Sequence, residues 1–127
     1  MSVNARLIAA LADTEIPEEL IFPDVCLDPS STYYTFNYDA IPTGYADNRP
    51  IAERLLIQVH FFCPHEFDSI RRRLATKQRL FDAGFGWPEE VNATNHTVKD
   101  GAEGQHFVFE CEALQEVEYG EIHDNGP

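Results

Sequence analysis

The amino-acid sequence predicts an α+β domain, in which a mainly antiparallel four-stranded sheet packs against two helices as a small two-layer sandwich. Four segments alternate their side chains with a period of two and follow one another in pairs, and two other segments repeat apolar residues at helical spacing. The length of 127 residues suits one domain with its own core. We therefore expect a single domain over residues 1–118 and a polar, acidic tail over residues 119–127 that frays.

The first predicted helix covers residues 3–13 and can be capped by Ser2 or Asn4. Alanines favour helix here, and three apolar residues form one stripe: Leu7, Ile8 and Leu11. Three prolines then interrupt residues 15–30, which predicts an extended, partly strand-like connection.

Two strands are predicted in the centre of the chain, separated by a loop. The first, over residues 31–39, carries aromatic or hydroxyl groups on both faces, and the second, over residues 53–63, is apolar on both faces, which indicates a central position in the sheet. Between them, residues 40–50 contain two prolines, a glycine and the pair Asp47-Asn48. This composition predicts a loop, and its length beyond a tight hairpin suggests a functional one.

A second helix is predicted to begin near Glu66 and to end before Gly84, a suitable left-handed C-terminal residue. Its apolar residues recur at helical spacing and predict the side that faces the core: Phe67, Ile70, Leu74, Leu80 and Phe81. We then expect a strand over residues 87–94, a polar turn over residues 95–105 and a last strand over residues 106–118.

The charge balance is strongly acidic. Twenty-two acidic residues face nine basic ones, a formal net charge of −13. An isolated protomer with this charge repels nucleic acid and anionic membranes, so we expect neither as a partner. No apolar run is long enough to cross a bilayer, and the N-terminus lacks the pattern of a secretory signal. Three widely spaced cysteines, Cys26, Cys63 and Cys111, favour buried thiols in a reducing cytosol over a disulfide framework.

One cluster carries residue types that bind metals. His60, Cys63 and His65 form an H-x-x-C-x-H pattern, which raises the alternative of a small metal-dependent hydrolase. His60 and Cys63 lie on or at the end of a predicted strand, where side chains alternate between faces, and a fourth ligand would have to come from elsewhere. Core packing is therefore the favoured interpretation of both cysteines, and we expect no catalytic residue, no metal and no cofactor.

The basic residues are concentrated in the second helix. It carries five of the nine: Arg71, Arg72, Arg73, Lys77 and Arg79. One interpretation is the solvated back of an amphipathic helix. The other is a positive patch that meets an acidic strand edge, including Glu110 and Glu112, on a neighbouring copy, so that copies associate head to tail and close a ring. On the second interpretation, reversing the charges of Arg72 and Arg73 weakens the ring.

Several stretches resemble a known family. They are YYTFNYDAIP at 33–42, ADNRP at 46–50, LLIQVHFFCP at 55–64, LFDAGFGWP at 80–88 and QHFVFECE at 105–112. Together they resemble small tail-component proteins of long-tailed phages and prophages of Firmicutes, over roughly residues 5–115. In that family a short helix precedes an aromatic strand, an Asp-Asn loop, a second strand, a basic helix, an Ala-Gly-Phe turn and a closing strand.

The resemblance implies a tail terminator or tail-completion protein without enzyme activity. Such a protein forms a ring, typically a hexamer, at the end of the tail tube and joins it to the head, so its partners are its own copies, the tube protein and a neck protein. It would lie in the host cytoplasm during assembly and then in the virion tail. A head-closure or tube protein of similar fold is the alternative. We expect the interface to include the loop residues Tyr45, Asp47, Asn48 and Arg49, together with the basic helix, the turn 95–105 and the acidic edge.

Overall fold

The computed structural model describes residues 2–24, 32–94 and 104–116 and confirms the α+β class. Nothing in these ranges is a helix long and apolar enough to cross a membrane. The elements, in chain order, are α1 (Val3–Leu11), a short 3₁₀ helix (Glu18–Leu20), β1 (Ile21–Pro23), β2 (Tyr33–Ala46), β3 (Arg49–Cys63), α2 (Ser69–Asp82), β4 (Glu89–Asn92) and β5 (Gln105–Glu116).

The sheet has five strands in the order β1-β2-β3-β5-β4, one more than predicted. The additional strand, β1, is three residues long and pairs in parallel with β2, whereas the other three pairings are antiparallel. It lies within the proline-containing stretch that is predicted as an extended, partly strand-like connection, but three residues are too few for a periodicity that would count as a separate strand. The central position predicted for β3 is confirmed, because β3 lies between β2 and β5.

One face of the sheet forms the core with the two helices. Tyr34 and Phe36 of β2, Ile57 of β3 and Phe109 of β5 are buried together with helix residues such as Leu7. Side chains at the alternate positions point to the opposite side. We call this second side the open face; across β2, β3 and β5 it carries Tyr33, Thr35, Asn37, Asp39, Leu56, Gln58, His60, Phe62, His106, Val108, Glu110 and Glu112.

The predicted loop over residues 40–50 is wrong, because β2 and β3 continue as a hairpin to a two-residue turn. Ala46 pairs with Arg49, and the turn residues Asp47 and Asn48 have φ angles of 53° and 64°. Positive φ at both central positions is what a type I′ hairpin turn requires, and Asp and Asn tolerate it. In the described residues β5 pairs with β3 as far as Ala52, whose partner is Glu116, and residues 44–51 form the end of the β2–β3 hairpin beyond this pair. We call them the arm.

The second helix is also oriented differently from the prediction. It begins at Ser69, where the Asp68 carboxylate accepts a hydrogen bond from the N–H of Ile70, and it ends before Gly84, whose φ is 92°. Its buried residues are Ser69, Arg72, Thr76 and Leu80, whereas three residues predicted to face the core lie outside: Ile70, Leu74 and Phe81. Helical spacing identifies an apolar stripe, but it does not show which side of the helix faces the core when polar residues such as Arg72 and Thr76 form buried hydrogen bonds.

The last third of the chain agrees in part with the prediction. Strand β4 covers only four of the eight residues predicted, and β5 begins at Gln105, one residue early. Most of the predicted turn, residues 95–103, and the end of the chain from residue 117, including the predicted tail, lie outside the described residues.

Candidate interaction surfaces

The inner face of α2 is built around a buried arginine. Arg72 is only 6 % exposed, and its Nη1 donates to Oδ2 of Asp13 over 2.5 Å while its Nη2 donates to the carbonyl of Leu11 over 3.0 Å. Leu11 is the last residue of α1 and Asp13 lies two residues beyond it, so the guanidinium connects α2 to the end of α1. A buried charge is tolerated only with this degree of pairing.

A closed chain of hydrogen bonds satisfies the rest of that site. Nε of Arg72 donates to the Tyr34 hydroxyl over 2.8 Å, which leaves the hydroxyl proton free to donate to Oγ1 of Thr76 over 2.7 Å. Thr76 in turn donates to the backbone carbonyl of Arg72 over 2.7 Å. Every polar atom has a partner, because in the described residues no buried side-chain nitrogen or oxygen lacks one. The arrangement fixes the rotation of α2 against β2.

Other basic residues of α2 are also paired within the chain. Arg73 binds the Glu90 carboxylate through Nε over 2.7 Å and lies over the Phe107 ring at 4.2 Å, and Lys77 reaches Glu90 over 2.9 Å. These two cations outweigh the effect of burial and lower the pKa of Glu90. Arg79 binds Asp13 over 2.9 Å.

The predicted positive patch is therefore wrong as a free surface. Of the five basic residues of α2, only Arg71 is exposed and makes no ion pair within the ranges that the structure describes. The physical reason is that acidic residues of α1's C-terminal side and of β4 neutralise the others inside one protomer. Charge reversal at Arg72 and Arg73 would consequently disrupt the fold and would not report on ring contacts.

The outer face of α2 carries a stripe of apolar side chains. Ile70 is 70 % exposed and Leu74 57 %, and Phe81 at the end of the helix is also more than half exposed. The Phe81 ring meets the ring of Trp87 edge to face at a centroid distance of 5.9 Å. We call Ile70, Leu74 and Phe81 the outer stripe. Large exposed apolar patches mark interaction sites, and this stripe is a candidate for one.

The open face has an aromatic end. Phe62 of β3 stacks on Tyr33 of β2 at 4.8 Å and on His106 of β5 at 4.2 Å. Nδ1 of His60 lies 2.9 Å from Nε2 of His106, a distance that requires one ring to donate and the other to accept. Two imidazolium rings would both be donors, so this contact favours at least one neutral histidine.

We expect the histidine pair to make stability depend on pH. Burial lowers the pKa of His60 below its ordinary 6.5, and the nearby Glu110 carboxylate offsets only part of this effect. Since the unfolded chain takes up the proton first, the contribution of His60 is complete above pH 6.5 and is lost as the pH falls through the lower folded pKa. Chemical unfolding at several pH values should show the loss in the wild type and in His65→Gln, an exposed histidine, but a smaller one in His60→Gln. If the free energy of unfolding changed equally with pH in all three proteins, this prediction would be contradicted.

The middle of the open face is acidic and concave. A cavity of about 700 Å³ lies over it, and the segment before β4 closes one side with Trp87. Four carboxylates surround this cavity: Asp39, Glu89, Glu110 and Glu112. Glu110 accepts a hydrogen bond from Gln58 over 3.0 Å, and Glu112 lies 3.5 Å from Arg54. Of the two predicted acidic residues, Glu110 lies between β3 and β4, whereas Glu112 lies beyond the part of β5 that pairs with β4.

The alternative metal cluster does not come together. His60 lies on the open face, whereas Cys63 is buried on the core side of the same strand, and His65 lies exposed beyond the strand end. No group of three metal-binding side chains occurs among the described residues. Both described cysteines are free and buried, and burial raises the pKa of each thiol to about 11, with Arg73 offsetting the effect slightly at Cys63. Such thiols are protonated at neutral pH and poor nucleophiles.

The arm presents the predicted loop residues at its tip. Tyr45 is 66 % exposed and Ile51 is 51 % exposed, and Asp47, Asn48 and Arg49 surround the turn. The side chain of Ile51 lies beside Gly44, where an added Cβ would come within 3.3 Å of it. These residues were predicted to form an interface, which stays a prediction; they lie on a hairpin and not on a loop.

Comparisons with known proteins provide no identification: the chain matches no protein-family model, and a search of curated proteins finds no relative. The surfaces that sequence reasoning missed are the outer stripe and the cavity. The apolar spacing of Ile70 and Leu74 was visible, but it was assigned to the core. The cavity arises from cross-strand register, which the sequence does not specify.

Proposed function

We propose that this protein is a structural subunit of a phage or prophage tail, a terminator or tail-completion component that forms a ring and joins the tail tube to the head. It acts through surfaces, without a catalytic residue or a cofactor. The sequence resemblance over residues 5–115 suggests this role.

The observation that carries the proposal is the presence of two separate apolar surfaces on one small chain. The outer stripe lies on α2, and the exposed Tyr45 and Ile51 lie on the two faces of the arm. A subunit that binds both its copies and a second component needs two such surfaces. We assign the arm to the tube or neck partner, because a twisted two-stranded ribbon can insert between neighbouring molecules.

The proposal is tested by deleting the gene in a phage or lysogen that encodes it and examining lysates by electron microscopy. We expect DNA-filled heads and unjoined tails, with normal virions restored by the wild-type gene. A variant with Tyr45→Asp and Ile51→Asp should fold but fail to restore joining, whereas Glu19→Lys, at an exposed residue of the 3₁₀ helix, should restore it. Normal virions without the gene would contradict the proposal. If an antibody against the protein labelled the head side of the junction or the whole tube in the micrographs, that result would instead favour the head-closure or tube alternative.

A further inference from the structure

We propose that the outer stripe of α2 binds the open face of a second copy of this chain, with Arg71 directed into the acidic cavity. The inference rests on the proposed role as a ring subunit and names the two surfaces that would form the ring.

The stripe needs a partner that the described residues of its own chain do not supply. α2 already uses its inner face against the sheet, through Arg72, Thr76 and Leu80. Its outer face leaves Ile70 and Leu74 more than half exposed to water. A helix that is apolar on the side away from its own core is suited to packing against a second surface.

Arg71 adds a charge beside that surface, where it also lines a cleft with Asp13, Glu15 and Asp68 of its own chain. It follows Ile70 directly and is exposed, and it is the one basic residue of α2 without an ion pair in the described ranges. The other four are used within the protomer. A partner surface for α2 must therefore combine apolar area with carboxylates.

The open face offers both. Around its cavity lie four carboxylates, Asp39, Glu89, Glu110 and Glu112, against a single neighbouring guanidinium, that of Arg54. Leu56 provides apolar area, and the Trp87 ring can pack against the face of a guanidinium. A helix on a sheet face is also the arrangement that α2 already adopts on the core side.

The contact would join two different surfaces and is therefore heterologous. Each copy uses its stripe on one neighbour and its open face on the other, so copies repeat head to tail and can close into a ring. The acidic protomers repel one another over long distances, but the local pairing of Arg71 with the cavity is attractive. Added salt should consequently weaken both the long-range repulsion between protomers and the local attraction of Arg71 to the cavity.

The experiment uses two double variants of the full chain in sedimentation velocity over a range of concentrations. The stripe variant carries Arg71→Glu and Leu74→Glu, and the face variant carries Asp39→Lys and Glu110→Lys. We expect the wild type to associate and each variant alone to associate at least tenfold more weakly. An equimolar mixture of the variants should associate again, because the altered stripe meets the altered face and the unaltered stripe meets the unaltered face.

Two control variants accompany the mixture, with folding of every protein checked by thermal unfolding. Ile51→Asp changes an arm residue of similar exposure, and Glu19→Lys changes an exposed carboxylate that does not line the cavity; both should associate as the wild type does. The inference is overturned if the wild type stays monomeric at its highest attainable concentration. It is equally overturned if the face variant associates normally, which would indicate α2–α2 pairing, or if mixing restores nothing. Virion assembly in the deletion strain reports on the tail role independently of all these outcomes.

Discussion

Replacing Arg72 by Met should lower the free energy of unfolding by about 3–5 kcal/mol, the range seen when one partner of a buried ion pair is removed. The guanidinium donates to Asp13, the Leu11 carbonyl and the Tyr34 hydroxyl at once, so its loss removes a buried donor from each of them, and only Asp13 and Leu11 keep another, from Arg79. The methionine keeps the length of the side chain but none of these hydrogen bonds. Denaturant unfolding followed by fluorescence measures the change.

Arg71→Met is the matched control one residue earlier. Because Arg71 is exposed and unpaired in the described ranges, its replacement should change the free energy of unfolding by no more than about 0.5 kcal/mol. Arg72→Lys keeps the charge but not the planar fork and should fall between the two. If Arg72→Met were as stable as the control, the claim that a buried, hydrogen-bonded Arg72 holds the inner face of α2 would be contradicted.

Acid should destabilise the protein through Asp13, the other partner in that network. Burial opposes ionisation of this carboxyl, but the N–H of Ile16 and the guanidinium groups of Arg79 and Arg72 outweigh it and lower the pKa from 3.8 to about 2. At 1.36 kcal/mol per pKa unit, this difference corresponds to about 2.5 kcal/mol of stability. Since the folded pKa is the lower one, the contribution is complete above pH 4 and is lost as the pH falls towards 2.

Comparing the wild type with Asp13→Asn isolates this contribution from that of the other carboxylates. The difference in unfolding free energy between the two proteins should be constant from pH 7 to about 4 and should shrink by about 2.5 kcal/mol towards pH 2. Asp39→Asn, at an exposed carboxylate of the open face, should show no comparable change. A pH-independent difference for Asp13→Asn would mean that the carboxylate is not held by the two arginines.

The strand pattern of the sequence predicted the sheet well because burial and alternation agree there. Leu55, Ile57 and Val59 are buried, as expected for the core face of an apolar strand. The side chains on the other face of β3 have neighbours on β2 and on β5. The strand pairing in the arm was not predicted, because two prolines and a glycine within residues 40–50 are typical of a loop. The pair Asp47-Asn48 did carry the turn signal, but strand pairing through Pro42 and Pro50 depends on the hairpin register, which composition does not encode.

The orientation of α2 was not predictable from its own sequence. Ile70, Leu74 and Phe81 have the spacing of a core stripe, and nothing local distinguishes Arg72 from a solvated arginine. What turns the helix is its distant partners, Asp13 after α1 and Tyr34 on β2, both of which bind the same guanidinium. Tertiary pairing of a charge therefore reversed the assignment of the helix faces, and with it the candidate interface changed from a basic patch to an apolar stripe.

The claim that α2 presents its outer stripe to a second copy is tested most directly by a photoreactive phenylalanine derivative at position 74. After irradiation of the concentrated full chain, mass spectrometry of the cross-linked peptides identifies what lies against the stripe. The account predicts intermolecular links to the β2, β3 and β5 segments that line the cavity around Asp39, Leu56 and Glu110. Links to another α2, or a protein that remains uncross-linked, would contradict it.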